Sequence, residues 1–74
     1  MNATQCRMAR AALGWTLNDL AAAAKVSSRT ALRFEAGGTV APESVGAMRR
    51  ALVDAGASFI DRGGQTGATV TAGG

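Results

Sequence analysis

Residues 16–37 decide the fold, and they read TLNDLAAAAKVSSRTALRFEAG. Thr16 is followed three residues later by Asp19, which resembles the capping box that begins a helix. The four alanines 21–24 favour a helix strongly, and their short side chains let another helix approach closely. One of the serines 27–28 can cap a second helix, which then ends before a pair of glycines. The stretch therefore predicts two short helices joined by a tight turn.

Helices are also expected on both sides of this stretch. A first helix over residues 4–13 would have Thr4 as its N-cap and would end at Gly14, which suits the left-handed position after a helix. Another helix over residues 42–56 begins with a proline, whose missing N–H is tolerated in a first turn, and ends at a glycine. Gly46 inside that helix costs about 1 kcal/mol relative to alanine and could mark a close contact with another backbone segment.

The remainder of the chain changes character. Residues 58–61 and 67–71 are candidate strands, and the glycines between them favour a turn. A lone hairpin is marginally stable in water, so it must pack on the helices, pair with another chain or remain disordered. The predicted fold is all-α: a compact four- to five-helix bundle over residues 1–56, followed over residues 57–74 by a short β-hairpin or flexible tail.

Composition narrows the class of protein. The chain has 74 residues and a formal net charge of +3, and the excess positive charge lies within residues 1–36, where five basic residues stand against two acidic ones. This asymmetry favours an anionic partner. Histidine is absent and Cys6 is the single cysteine, which excludes an intrachain disulfide and a zinc site. We expect Cys6 to be a small buried apolar residue.

Several functions and locations are also disfavoured. No nucleophile–base pair or metal-ligand set can be assembled, so we expect no enzymatic activity, no cofactor and no small-molecule ligand. The longest uncharged stretch, residues 63–74, is rich in glycine and threonine and is not a membrane span. Residues 1–8 lack the basic and apolar pattern of a signal peptide. We therefore expect a cytoplasmic protein with no membrane partner.

The two short helices of residues 16–37 have the layout of a helix-turn-helix, whose second helix lies in the major groove of DNA. Three sequences resemble the lambda-repressor/Cro type of helix-turn-helix, the XRE family of transcriptional regulators: GWTLNDLA (14–21), VSSRT (26–30) and RFEAG (33–37). The resemblance covers roughly residues 4–56. It implies a lambda repressor-like bundle that reads the major groove of double-stranded DNA with helix 27–36.

The resemblance also implies roles for particular residues. The edges of the bases would be read by Ser28, Arg29, Leu32 and Arg33. The phosphates would be contacted by Thr16, Lys25, Ser27, Gly38 and Thr39. An ion pair would tie the first helix to the third, between Arg10 and Glu35. The adjacent pair 49–50 of arginines could contact phosphate or be solvated surface charge.

The chain departs from the family pattern at three positions. Leu17 stands where the family usually has a polar residue that touches DNA, which removes one usual contact. Lys25 stands in a turn that often has glycine, where a left-handed backbone costs another residue about 1 kcal/mol. Ala31 replaces a larger aliphatic residue, so the core beside the third helix must be filled from elsewhere, with Phe59 or Trp15 as candidates.

Two functions remain open at this point. The first is a sequence-specific DNA-binding transcriptional regulator that reads a palindromic operator as a homodimer. The second is an antitoxin or adaptor, a protein-interaction module of the same fold whose tail binds a protein partner. For the first, we expect the segment 58–71 to supply the dimer contact by strand pairing, with Phe59, Ile60 and Val70 as its apolar residues.

Overall fold

The chain folds into helices followed by a two-stranded antiparallel sheet. The computed structural model describes the backbone of residues 1–62 and 65–70 and the side chains of residues 1–59 and 67–70. In chain order the described elements are α1 (Ala3–Ala12), α2 (Leu17–Ala24), α3 (Ser28–Glu35), α4 (Pro42–Asp54), β1 (Ala57–Arg62) and β2 (Gln65–Val70). The expectation of a small, mostly helical domain with a short hairpin is confirmed.

Helix α1 is capped by Asn2 and not by Thr4, so the expected cap is wrong. Asn2 Oδ1 accepts the N–H of Gln5 at 2.8 Å, and Gln5 Oε1 accepts the N–H of Asn2 at 2.9 Å. These reciprocal bonds satisfy N–H groups that the helix itself leaves without partners. Thr4 lies within the first turn, where its hydroxyl oxygen accepts a hydrogen bond from Arg7 Nη2 at 3.3 Å.

The α2–turn–α3 unit forms as the sequence predicts. Thr16 Oγ1 accepts the N–H of Asp19 at 3.1 Å, and Asp19 Oδ2 accepts the N–H of Thr16 at 2.8 Å, which completes the capping box. Lys25 ends α2 with a left-handed backbone, φ 58° and ψ 40°. Ser27 then caps α3, since its Oγ accepts the N–H of Thr30 at 3.1 Å. The left-handed residue and the serine cap together redirect the chain between the two helices.

The core is built largely from small residues. Side chains without exposed surface are Cys6, Ala9, Leu20, Ala31, Met48 and Leu52. Trp15 and Phe59, the two residues expected to compensate for Ala31, are both partly buried and pack against this cluster. Bulky side chains at the edge of the core thus supply volume that the alanines at its centre lack.

The hairpin is part of the core. Strands β1 and β2 pair antiparallel, with Ala57 opposite Val70 and Phe59 opposite Ala68, so these four residues lie on one face of the sheet. Ala57 is 5 % exposed, and the other three are partly buried against the helical core. Strand β2 packs mainly on α1. Of the alternatives expected for the hairpin, the described residues show the one in which it packs on the helices. Residue 71 of the predicted second strand lies outside the described residues.

Helix α4 is the longest of the described helices, with 13 residues. It begins at Pro42 and buries Met48 and Leu52. Gly46 is exposed, and apart from its chain neighbours and the nearby backbone of α4, no described atom lies within 4 Å of the position that its Cβ would take. The expected close contact with another backbone segment is therefore wrong. Since a membrane span needs about 20 apolar residues, none of the helices in the described part of the chain could cross a membrane.

Replacing Gly46 by alanine should stabilise the protein. The new methyl group meets no neighbouring atom, while the unfolded chain loses conformational freedom. We expect Gly46→Ala to raise the free energy of unfolding by about 0.5–1 kcal/mol in urea denaturation. Gly37→Ala is the matched contrast. Gly37 has a φ of +89°, which strains an alanine, so this variant should have a lower free energy of unfolding than the parent protein. Loss of stability in both variants would contradict the open environment of Gly46.

Candidate nucleic-acid interface

Helix α3 presents a continuous exposed face. The four residues that the resemblance assigns to base reading are all exposed on it: Ser28, Arg29, Leu32 and Arg33. On the other side of the helix, Ala31 and Glu35 are buried. Leu32 is 55 % exposed, so the face combines an apolar side chain with two cationic ones.

Thr16 and Ser27 cap the starts of α2 and α3, and Lys25 ends α2. All three are predicted phosphate contacts and are exposed. The two N-termini differ in charge. Helix α2 has Asp19 in its first turn, which offsets the positive end of the helix dipole. Helix α3 has no acidic residue in its first turn, and Lys25 lies in the turn just before it. The start of α3 is therefore the more favourable of the two for an approaching anion.

Gly38, one of the predicted phosphate contacts, lies in the loop that follows α3 and bonds to the end of that helix. Its N–H donates to the carbonyl oxygen of Arg33 at 2.8 Å, and it has no side chain with which to donate elsewhere. This bond closes the end of α3, and the phosphate contact at Gly38 stays a prediction. Thr39, next in the loop, is exposed.

The ion pair between Arg10 and Glu35 is present. Arg10 Nε donates to Glu35 Oε2 at 2.8 Å and Arg10 Nη2 donates to Oε1 at 3.0 Å, a bidentate arrangement. Arg10 Nη1 donates to the carbonyl oxygen of Trp15 at 2.9 Å. Glu35 is 4 % exposed. The hydrogen bonds with Glu35 are the main cause that raises the pKa of Arg10, so Arg10 stays positively charged.

Two further side chains of α1 contact Glu35, and the sequence analysis predicted neither contact. Arg7 Nη1 donates to the carbonyl oxygen of Glu35 at 2.7 Å, where a cation suits the negative end of the α3 dipole. The available signal was the spacing of Arg7 and Arg10, which puts both on one face of α1. Cys6 Sγ donates to Glu35 Oε2 at 3.5 Å. Burial, with Glu35 adding to it, raises the pKa of the Cys6 thiol to about 12, which keeps the thiol protonated.

These contacts decide where cationic side chains face solvent. Arg10 is partly buried against Glu35, whereas Arg7 bonds to the Glu35 carbonyl oxygen and stays exposed. Of the five basic residues in the first half of the chain, the other three lie on α3 and the turn before it: Lys25, Arg29 and Arg33. On α4, Arg49 lies over the ring of Phe59 at 5.7 Å from its centroid, a cation–π arrangement.

Two of the three residues expected at a dimer contact pack within their own chain, and the side chain of the third is not described. Phe59 and Val70 are partly buried against the core of their own chain. The side chain of Ile60 lies outside the described residues. Within the part of the chain that the structure describes, no three His, Cys, Asp or Glu side chains form a group that could hold a metal ion.

Comparison with known proteins adds no relative to this picture. No family model matches the chain, and no curated protein matches it significantly. The geometry of the α2–α3 unit and its charges therefore carries the functional argument.

Replacing Arg10 by methionine should destabilise the protein strongly. The Glu35 carboxylate would stay buried without its main cationic partner, and breaking a buried pair in this way costs about 3–5 kcal/mol. We expect Arg10→Met to melt far below the parent protein in thermal unfolding followed by circular dichroism. Arg50→Met, at an exposed position of α4, is the matched control and should change the free energy of unfolding by less than about 0.5 kcal/mol. Similar melting of the two variants would contradict the importance of the pair.

Proposed function

We propose that the protein is a sequence-specific DNA-binding transcriptional regulator of the lambda-repressor/Cro type, with α2 and α3 as its helix-turn-helix. In such an arrangement α3 lies in the major groove and α2 crosses the DNA backbone. The observation that carries the proposal is the exposed face of α3, where cationic and apolar side chains project from a helix whose own acid, Glu35, is buried and paired. We place this action in the cytoplasm.

The side chains of α3 have chemical counterparts in the major groove. A guanidinium donates two hydrogen bonds to O6 and N7 of guanine, which suits Arg29 in the first turn. Leu32 suits the methyl group of thymine, and the Ser28 hydroxyl can donate or accept. Lys25 and the free N–H groups at the start of α3 suit phosphate oxygens. The face thus offers partners both for bases and for the backbone.

We further propose that the protein acts as a homodimer. One recognition helix reads a half-site, and dimers of this class read two half-sites about one turn of DNA apart. The hairpin offers strand edges to which a second copy could add. Because Phe59 and Val70 are partly buried within their own chain, this contact would depend on backbone pairing more than on those two side chains.

Selection of bound sequences from a random duplex pool tests the DNA-binding proposal. We expect enrichment of one sequence, and we expect Arg29→Ala to weaken binding to it by about 1–3 kcal/mol while relaxing the preference at one base pair. Arg50→Ala removes the same charge from α4 and should leave the ratio of specific to non-specific affinity unchanged. If the parent protein binds no duplex at low salt, the proposal is wrong.

The dimer can be tested without removing the hairpin, which the core needs. Thr69 is exposed on β2, and a lysine there should oppose edge-to-edge pairing of strands. We expect the parent protein to sediment at about twice its 7.4 kDa and to select a palindrome, and Thr69→Lys to shift it toward monomer. Thr39→Lys, in the loop after α3, adds the same charge away from the hairpin and should remain dimeric. A monomeric parent that selects a single half-site would contradict the dimer.

A further inference from the structure

The end of α3 contains a contact that base reading by the whole helix does not explain. The space that a side chain at Gly38 would occupy is filled by Arg33. A Cβ built on Gly38 would lie 2.8 Å from Arg33 Cγ, 3.0 Å from its carbonyl oxygen and 3.5 Å from its Nε. The Gly38 N–H donates to that same carbonyl oxygen at 2.8 Å. Arg33 therefore lies against Gly38 with its stem and accepts a hydrogen bond from Gly38 with its backbone.

This contact directs the Arg33 side chain away from the start of α3. Arg33 lies in the last turn of the helix, and its stem folds onto the loop that follows. Base edges are contacted mainly from the N-terminal part of a recognition helix. Any residue larger than glycine at position 38 would occupy the place of the stem. A guanidinium held beside this loop suits the sugar–phosphate backbone, where arginine positions a protein without reading sequence.

We propose that Arg33 is a phosphate clamp positioned by Gly38, and that base reading on α3 belongs to Ser28, Arg29 and Leu32. This inference rests on the proposed function as a DNA-binding regulator. It revises the role that the resemblance implies for Arg33, from a base reader to a phosphate contact, and it gives Gly38 a positioning role in place of a direct contact.

The division specifies the duplex that α3 would recognise. Arg29 and Leu32 are three residues apart on a helix, so their Cβ atoms are about 5–6 Å apart. Successive base pairs are about 3.4 Å apart along a strand. A guanine for Arg29 and a thymine for Leu32 should therefore lie within about two base pairs of each other in each half-site. Arg33 contributes affinity to this site without a base preference.

Substitution of Arg33 distinguishes a clamp from a base reader. On the sequence that the parent protein selects and on a scrambled duplex, Arg33→Ala should weaken binding by the same factor. It should also reduce the slope of log K against log salt by about 0.9, the value for one phosphate contact. Arg33→Lys should restore the slope, because an ammonium also binds phosphate. Arg29→Ala should change the base preference instead.

A double-mutant cycle tests the positioning role of Gly38. Gly38→Ala should weaken DNA binding and reduce the salt slope in the parent by more than in the Arg33→Ala background, where the stem is gone and only the close approach to the carbonyl oxygen of residue 33 remains. Thermal unfolding of each variant separates effects on binding from effects on folding.

The outcomes that would overturn the inference are separate from those that bear on the function. A changed base preference in Arg33→Ala, or an unchanged salt slope, would overturn the clamp. An equal loss from Gly38→Ala in both backgrounds would overturn the positioning role. Absence of duplex binding by the parent protein itself would overturn the proposed function and the inference together.

Discussion

The Glu35 carboxylate is buried at the end of α3, and the way in which it is paired determines how that helix is held. A buried carboxylate is costly unless charge and hydrogen bonds compensate for its lost hydration. Arg10 supplies two hydrogen bonds and the opposite charge, and the Cys6 thiol supplies a weaker third. Arg7 binds the backbone carbonyl of the same residue. Because all three donors lie on α1, the end of α3 cannot shift relative to α1 without leaving an unpaired buried charge.

The same interaction determines which charged side chains remain exposed around α3. A formal net charge of +3 on 74 residues says little about a partner, since exposed and buried charges count alike in it. Glu35 holds Arg10 in a partly buried position, accepts a bond from the exposed Arg7 through its carbonyl oxygen, and is itself removed from the surface. What remains exposed around α3 is cationic and includes no acid of that helix, although Asp19 stays exposed at the start of α2. The field that a polyanion would meet is therefore more asymmetric than the composition suggests.

Local rules predicted most of the α2–turn–α3 unit, because a capping box and a serine cap depend on residues three positions apart. The same rules also apply to α1, where Asn2 and Gln5 form a capping box. The prediction of Thr4 as the cap was wrong although Asn2 and Gln5 have the required spacing. Contacts across the fold were harder to predict. The bond from Arg7 to the Glu35 carbonyl joins residues 28 positions apart, and only the resemblance suggested that α1 and α3 meet. The role proposed for Gly38 depends on where one arginine stem folds, which no spacing rule specifies.

The hairpin shows how a small core limits the ways in which a second copy can bind. With alanines at Ala9, Ala21 and Ala31, the helices alone enclose little volume, and the sheet face of β1 and β2 completes the core. Side chains that close the core cannot also form the centre of a dimer contact without exposing the helices beneath them. In the proposed homodimer, a second copy would therefore be confined to the strand edges and the outer face of the sheet. Backbone hydrogen bonds at an edge have little sequence specificity, so the choice of partner would depend on the two half-sites of DNA proposed to bind the copies.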